Sequence, residues 1–265
     1  MRLGWKGVPE NAEMQKVARE GALLAGGARA ILLQIAHPAV GRGVAEHSDF
    51  SYRPLDRLRA TLTYVYCVTF GTPEEIRAVA TQVTAAHRSV TGAGYRASDP
   101  ELQLWVAATL YDTAVLLYGE LFGPLEAARA DRVYEQYAVL GTALQVPARM
   151  WPSDREAFAL YWQRMIDTLE VSGDAKRVAL ELLSTEVAPP LLKPTTSLNR
   201  FLTAAWLPAP IREQYGLAWD QGAQRRYDLM KRVGAPLYRL LPVPLREVPK
   251  TYYLRDMRKR LAATP

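Results

Sequence analysis

Three histidines and one arginine–threonine pair are the residues of this chain whose types and spacing could do chemistry. His37 and His47 share the segment Gln34-Ile-Ala-His-Pro-Ala-Val-Gly-Arg-Gly-Val-Ala-Glu-His-Ser-Asp-Phe50, and His87, the third, closes the set. Arg57 and Thr61 stand four positions apart, one helical turn, near the start of the segment Pro54 to Phe70. Neutral imidazole is a metal ligand and also the side chain that trades protons near pH 7. A guanidinium beside a hydroxyl offers charge-assisted donors to an anion. An inward-facing histidine opposite such a pair reads as a site for something anionic or metallic.

The elements that must position these groups are helices. Leu55, Leu58, Leu62, Val65 and Thr69 recur at three- and four-residue steps, with Arg57, Thr61, Tyr64 and Val68 on the adjacent stripe. In the next segment Ile76, Val79, Ala80, Val83, His87 and Val90 share one face, while Glu74, Arg77, Gln82 and Arg88 point elsewhere. His87 is therefore predicted to face inward, where burial keeps its ring neutral. A core histidine satisfied by a hydrogen bond fits the same pattern. Pro38 makes His37 an extended or turn residue and can begin a helix, and Gly43 permits close approach by another element, which suits a pocket wall. The competing readings are a turn cap for His37, a solvated helix end for His47, and a surface ion pair with Asp56 or Glu74 for Arg57.

The same periodicity predicts helices at roughly 11–25, 28–36, 39–46, 55–70, 73–91, 100–121, 126–144, 154–170, 174–187, 197–206, 219–240 and 251–261. No stretch shows a sustained period of two, so the predicted class is all-α. Asp99-Pro100-Glu101 reads as an N-cap followed by proline at the first helical position, Ser153 or Asp154 with Glu156 reads as another start, and Gly92 and Gly94 read as helix stops. No repeat or low-complexity linker divides residues 1–265, which are expected to form a single domain whose proline-punctuated C-terminal third wraps the same core. Trp105, Tyr111, Tyr118, Tyr134, Tyr137, Trp162 and Cys67 are expected in that core.

Composition narrows the function. Lys and Arg exceed Asp and Glu by 33 to 27, but scattered, so nucleic acid is not an expected partner. Only the helix expected at 251–261 is densely basic, and it is the candidate for peripheral contact with a membrane surface. One cysteine, no leader-like start and no apolar run near the ~20 residues of a membrane span point to a cytoplasmic protein. The sequence lacks the Gly-x-Ser-x-Gly elbow, Walker loop, dinucleotide fingerprint and zinc helix. No histidine has Glu three positions before it, which removes the Glu-x-x-His basis of a di-iron bundle.

His-Pro-x-Val with Gly-Val-x-x-His-Ser, then Pro-Leu-x-Arg-Leu-x-x-Thr, Phe-Gly and His-x-x-Val-x-Gly occur in an order that resembles the MpaB and rubber-oxygenase (latex-clearing protein) catalytic-domain family. The stretches 99–109 and 144–152 continue the likeness, which spans roughly residues 20 to 245. The resemblance implies a globin-like helical core, haem b as cofactor and dioxygen as reactant. It also implies that His87 is the proximal iron ligand and that Arg57 and Thr61 bind beside the haem. Two departures stand out: Ala60 where rubber-cleaving members can present lysine, and Ala107 where many relatives are expected to carry histidine. His37 or His47 is then the expected distal group, with His37 favoured because the bend at Pro38 would aim it inward. The resulting expectation is a haem b-dependent oxygenase using dioxygen or peroxide on a small apolar or aromatic molecule. Rubber is not the expected substrate, since nothing in the chain signals secretion. A non-catalytic haem or gas-binding protein and a cofactor-free helical protein docking on membranes or partners are the alternatives. The native substrate and the oligomeric state stay open.

Overall fold

The chain is all-α. A computed structural model describes residues 12–47, 54–184 and 193–263, with side chains at 54–58 and 193–194 outside the description. Arg57 is among these, so only its backbone can be placed. In order, the helices are α1 (Ala12–Ala18), a 3-10 turn (Gly21–Gly26), α2 (Gly27–Ala36), α3 (Pro38–His47), α4 (Pro54–Phe70) and α5 (Pro73–Ser89). A two-strand hairpin, β1 (Thr91–Gly92) and β2 (Tyr95–Arg96), precedes α6 (Pro100–Phe122), α7 (Ala127–Tyr137), α8 (Val139–Thr142) and α9 (Arg155–Thr168). The chain continues through α10 (Gly173–Leu183), α11 (Lys193–Trp206), α12 (Ala209–Gln214), α13 (Gln221–Leu240), α14 (Val243–Arg246) and α15 (Val248–Ala263).

The central strut is α6. Asp99 caps it by accepting the Glu101 N–H at 2.9 Å, Pro100 opens its first turn, and Gly123 ends it at φ +86°. Leu104, Trp105, Ala107, Ala108, Thr109, Tyr111 and Leu117 are buried along it, and α2, α13, α8 and the 3-10 turn pack against it. One apolar cluster runs from Met14 on α1 to Met257 on α15. Trp105, Tyr111, Tyr134, Tyr137 and Cys67 are buried in it as expected, with Tyr118 and Trp162 partly buried against it. Burial pushes the Cys67 thiol up to about 12, so it stays protonated and packs as a small apolar group.

The hairpin and the shortest helices depart from expectation. Helix α5 ends at Ser89 with Val90 as its cap, and the glycines belong to the following β turn, where Gly94 takes φ +81°. The segment expected as one helix at 126–144 breaks at Ala138 into α7 and α8. Among the described residues no single helix is long and apolar enough to cross a membrane. The bent pair from Gly21 to His47 passes by composition, but α2 buries Leu32, Leu33, Ile35 and Ala36 in the core.

Candidate functional site

The α4–α5 pair sets the geometry. Gly71 closes the link: a Cβ there would lie 2.6 Å from the Cys67 carbonyl oxygen. Thr72 and Glu75 then form a reciprocal capping box that starts α5. The two helices pack side by side. At equal rise per residue, thirteen positions back from Phe70 and thirteen forward from Pro73 bring Arg57 level with Ala86, beside His87. Tyr64 and Val68 are buried, whereas Thr61, on the same stripe, is exposed. The stripe therefore leaves the core toward the N-terminal end of α4, the end shared with His87.

His87 is half-buried in the last turn of α5. Its Nδ1 lies 3.4 Å from Nε2 of Gln103, a buried side chain on α6. That amide is already committed: its N–H groups donate to the Ala97 carbonyl at 3.0 Å and to Gln145 Oε1 at 2.6 Å. Its Oε1 accepts the Gln145 backbone N–H at 3.1 Å, and Gln145 Nε2 donates to Thr84 Oγ1 at 2.7 Å. With two hydrogens and two shorter acceptors, the amide leaves only a long contact to Nδ1. The network clamps α5, α6 and the 144–146 segment together behind the imidazole.

Gln103 and Gln145 are the residues that the sequence reading missed. The available signal was a glutamine inside the apolar run Leu102-Gln-Leu-Trp105, a polar group that must find partners when buried. Gln103→Leu strands the Ala97 carbonyl and Gln145, and is expected to cost about 1–3 kcal/mol in urea unfolding. An unchanged midpoint would show the network to be dispensable.

The other two histidines occupy different surroundings. His37 ends α2 in an extended conformation, φ −73° and ψ 121°, and Pro38 begins α3 at 108° to the preceding helical segment Gly21–Ala36. Its ring is half-buried, and Nδ1 is buried with no hydrogen-bond partner among the described residues. Desolvation lowers its pKa from 6.5, against an opposing pull from Asp99 and Glu101. His47, at the far end of α3, is exposed: Nε2 meets the Thr91 carbonyl at 3.0 Å and the ring stands edge-on to Tyr95. Tyr95 in turn donates to Glu46 at 2.5 Å and covers Gly43, where a Cβ would meet the ring at 3.1 Å. His47 thus clasps α3 to the β hairpin. A ten-residue helix separates His37 from His47 by about 15 Å.

A cleft of about 540 Å³ opens elsewhere, between α10, α11 and the turn at Tyr215–Leu217, with Lys176, Glu181 and Arg200 at its margin. None of the predicted site residues lines it.

Comparison with known families decides what this arrangement belongs to. A family model described as ER-bound oxygenase mpaB/B'/Rubber oxygenase, catalytic domain, matches residues 14–235. The chain belongs to the mpaB and rubber-oxygenase catalytic-domain family. That match takes in α4, α5, α6 and all three histidines. Uncharacterized proteins of Mycobacterium bovis and Mycobacterium tuberculosis are each 38% identical to the chain over 240 residues, covering 87% of it and 94% of theirs. No solved structure matches significantly. The mpaB and rubber-oxygenase family is one of oxygenase catalytic domains, and the stretches 99–109 and 144–152 that carried the resemblance meet in this structure as the Gln103–Gln145 bridge behind His87.

Proposed function

We propose that this chain is a haem b-dependent oxygenase of a small apolar or aromatic molecule, with dioxygen or peroxide as co-reactant and His87 as the iron ligand. The donor set carries this reading. Among the described residues no group of three His, Cys, Asp or Glu could hold a metal ion, whereas a porphyrin brings four nitrogens and asks the protein for one imidazole. His87, half-buried in the last turn of α5, offers one imidazole. Bound haem would supply activation of dioxygen or peroxide.

The chain's own groups would bind, orient and manage protons. Arg57, level with the end of α5, would neutralise a propionate through charge-assisted hydrogen bonds. Thr61 is exposed, which suits a hydroxyl at the rim where a propionate keeps contact with water. His37 is the better candidate for proton handling, because its buried Nδ1 is uncommitted while His47 spends Nε2 on Thr91. Its neutral state suits acceptance of a proton.

His37 also makes a pH prediction. With the folded pKa depressed below 6.5, the unfolded chain binds the proton more readily, so stability present above pH 6.5 is lost as pH falls through the folded value. His37→Asn is expected to flatten this acid-side decline in melting temperature. An unaltered pH profile would remove His37 as its source.

The test of the function is an ultraviolet-visible titration of the purified chain with hemin, followed by pyridine-haemochrome identification and turnover with reductant plus dioxygen, or with peroxide. A stoichiometric Soret band with oxygen-dependent turnover supports the oxygenase. A six-coordinate spectrum without turnover would make it a haem or gas-binding protein, and no band at all would overturn the haem reading.

A further inference from the structure

The C-terminal helices display apolar side chains that the core does not use. On α13, Ala223, Tyr227 and Ala235 are buried and mark its inward face. Leu229, Val233, Leu237 and Leu240 are 60, 53, 59 and 79% exposed. Steps of four and three put them on one outward stripe. Exposure continues along the chain through Leu241, Val243, Leu245 and Val248 to Tyr252. Single exposed leucines are ordinary, but a run of this length marks a surface with an occupant.

Charge selects the occupant. Residues 221–263 hold eleven Lys and Arg against three Asp and Glu, a net +8, whereas the rest of the chain, with 22 against 24, is −2. Arg225, Arg232 and Arg239 recur every seven residues and form a column along one flank of the leucine stripe. Among the described residues none of the three pairs with a carboxylate; Arg225 and Arg239 reach only the Gln221 and Ala235 carbonyls. On α15, Val248, Tyr252, Arg255 and Lys259 repeat at steps of four, three and four and are all exposed. A second copy of the chain would set this cationic surface against itself. Nucleic acid would use the arginines and leave the leucines in water.

An apolar stripe flanked by uncommitted arginines is the pattern of a helix lying in the plane of a membrane interface. We propose that α13 and the segment through Tyr252 dock on an anionic lipid bilayer, with the leucines entering the headgroup boundary and the arginine column meeting lipid phosphates. This contact is peripheral and independent of the haem reading.

Vesicle flotation tests it, with phosphatidylcholine vesicles prepared with and without phosphatidylglycerol. The full chain is expected to float with the anionic vesicles only, and less so as salt rises. Replacing Arg225, Arg232 and Arg239 together by glutamine is expected to weaken binding roughly 100-fold. Replacing Leu229, Val233 and Leu237 by serine is expected to abolish flotation at unchanged melting temperature, since all three are already in water. Failure of the parent chain to bind, or variants that bind like it, would overturn the proposal. A dimer lost in the serine variant, with no vesicle binding, would assign the stripe to a second copy instead.

Discussion

Protein carrying His87→Ala is expected to leave a hemin titration without the stoichiometric Soret band that the parent chain acquires. Changes to groups behind a metal ligand typically weaken metal binding about 10–100-fold, so loss of the ligand itself is expected to exceed roughly 100-fold. The bonds of Gln103 to Ala97 and Gln145 survive the change, and the melting temperatures of the two apoproteins, measured beside the titration, separate loss of the ligand from loss of the fold. External imidazole, small enough to enter the space left by the ring, is expected to restore the same band. Full retention of the parent spectrum in His87→Ala would overturn the ligand assignment, and His37→Ala and His47→Ala would then be compared in the same titration.

What was legible in the sequence was whatever repeats locally. Helices α4, α5 and α6 announce themselves by apolar spacing and by caps within four residues of their starts, as at Thr72–Glu75 and Asp99–Glu101. The bend at His37–Pro38 follows from proline's restriction of its predecessor. The β hairpin at Thr91–Arg96 was not legible, because two-residue strands are too short to show a period. Helices α12 and α14 escaped for the same reason of length. Groups joined across the chain left no local trace. Glu20, 2% exposed, receives Arg246 at 3.1 Å from 226 residues away, together with the Tyr238 hydroxyl at 3.0 Å. That contact ties the C-terminal helices to the start of the fold. The candidate site divides in the same way. His87 showed through its place on a stripe, but its neighbours Gln103 and Gln145 are 16 and 42 residues further along their respective links, so only the folded chain brings them together.

Asp112→Leu is expected to cost about 3–5 kcal/mol. Arg29 stands on α2 in an otherwise apolar run and is only 3% exposed. Its guanidinium donates to Asp112 Oδ2 at 2.5 Å, to Thr113 Oγ1 at 2.5 Å and to the Trp206 carbonyl at 2.8 Å. One side chain thereby joins α2, α6 and α11. Burial pushes the Asp112 carboxyl above its usual range, and Arg29 pulls it back. Removing the carboxylate alone leaves a buried cation with neutral acceptors only, which is the expensive case. Replacing both partners, Asp112→Leu with Arg29→Met, removes the charge as well and is expected to recover most of the loss. Urea unfolding of the parent, the two single variants and the double variant closes the cycle. A single-variant cost below about 1 kcal/mol would mean that Thr113 and Trp206 suffice to hold the guanidinium. The clamp also bears on chemistry, since α2 ends in His37. If Asp112→Leu lets that end shift, the pH dependence assigned to His37 should shift with it, and the double variant should restore both together.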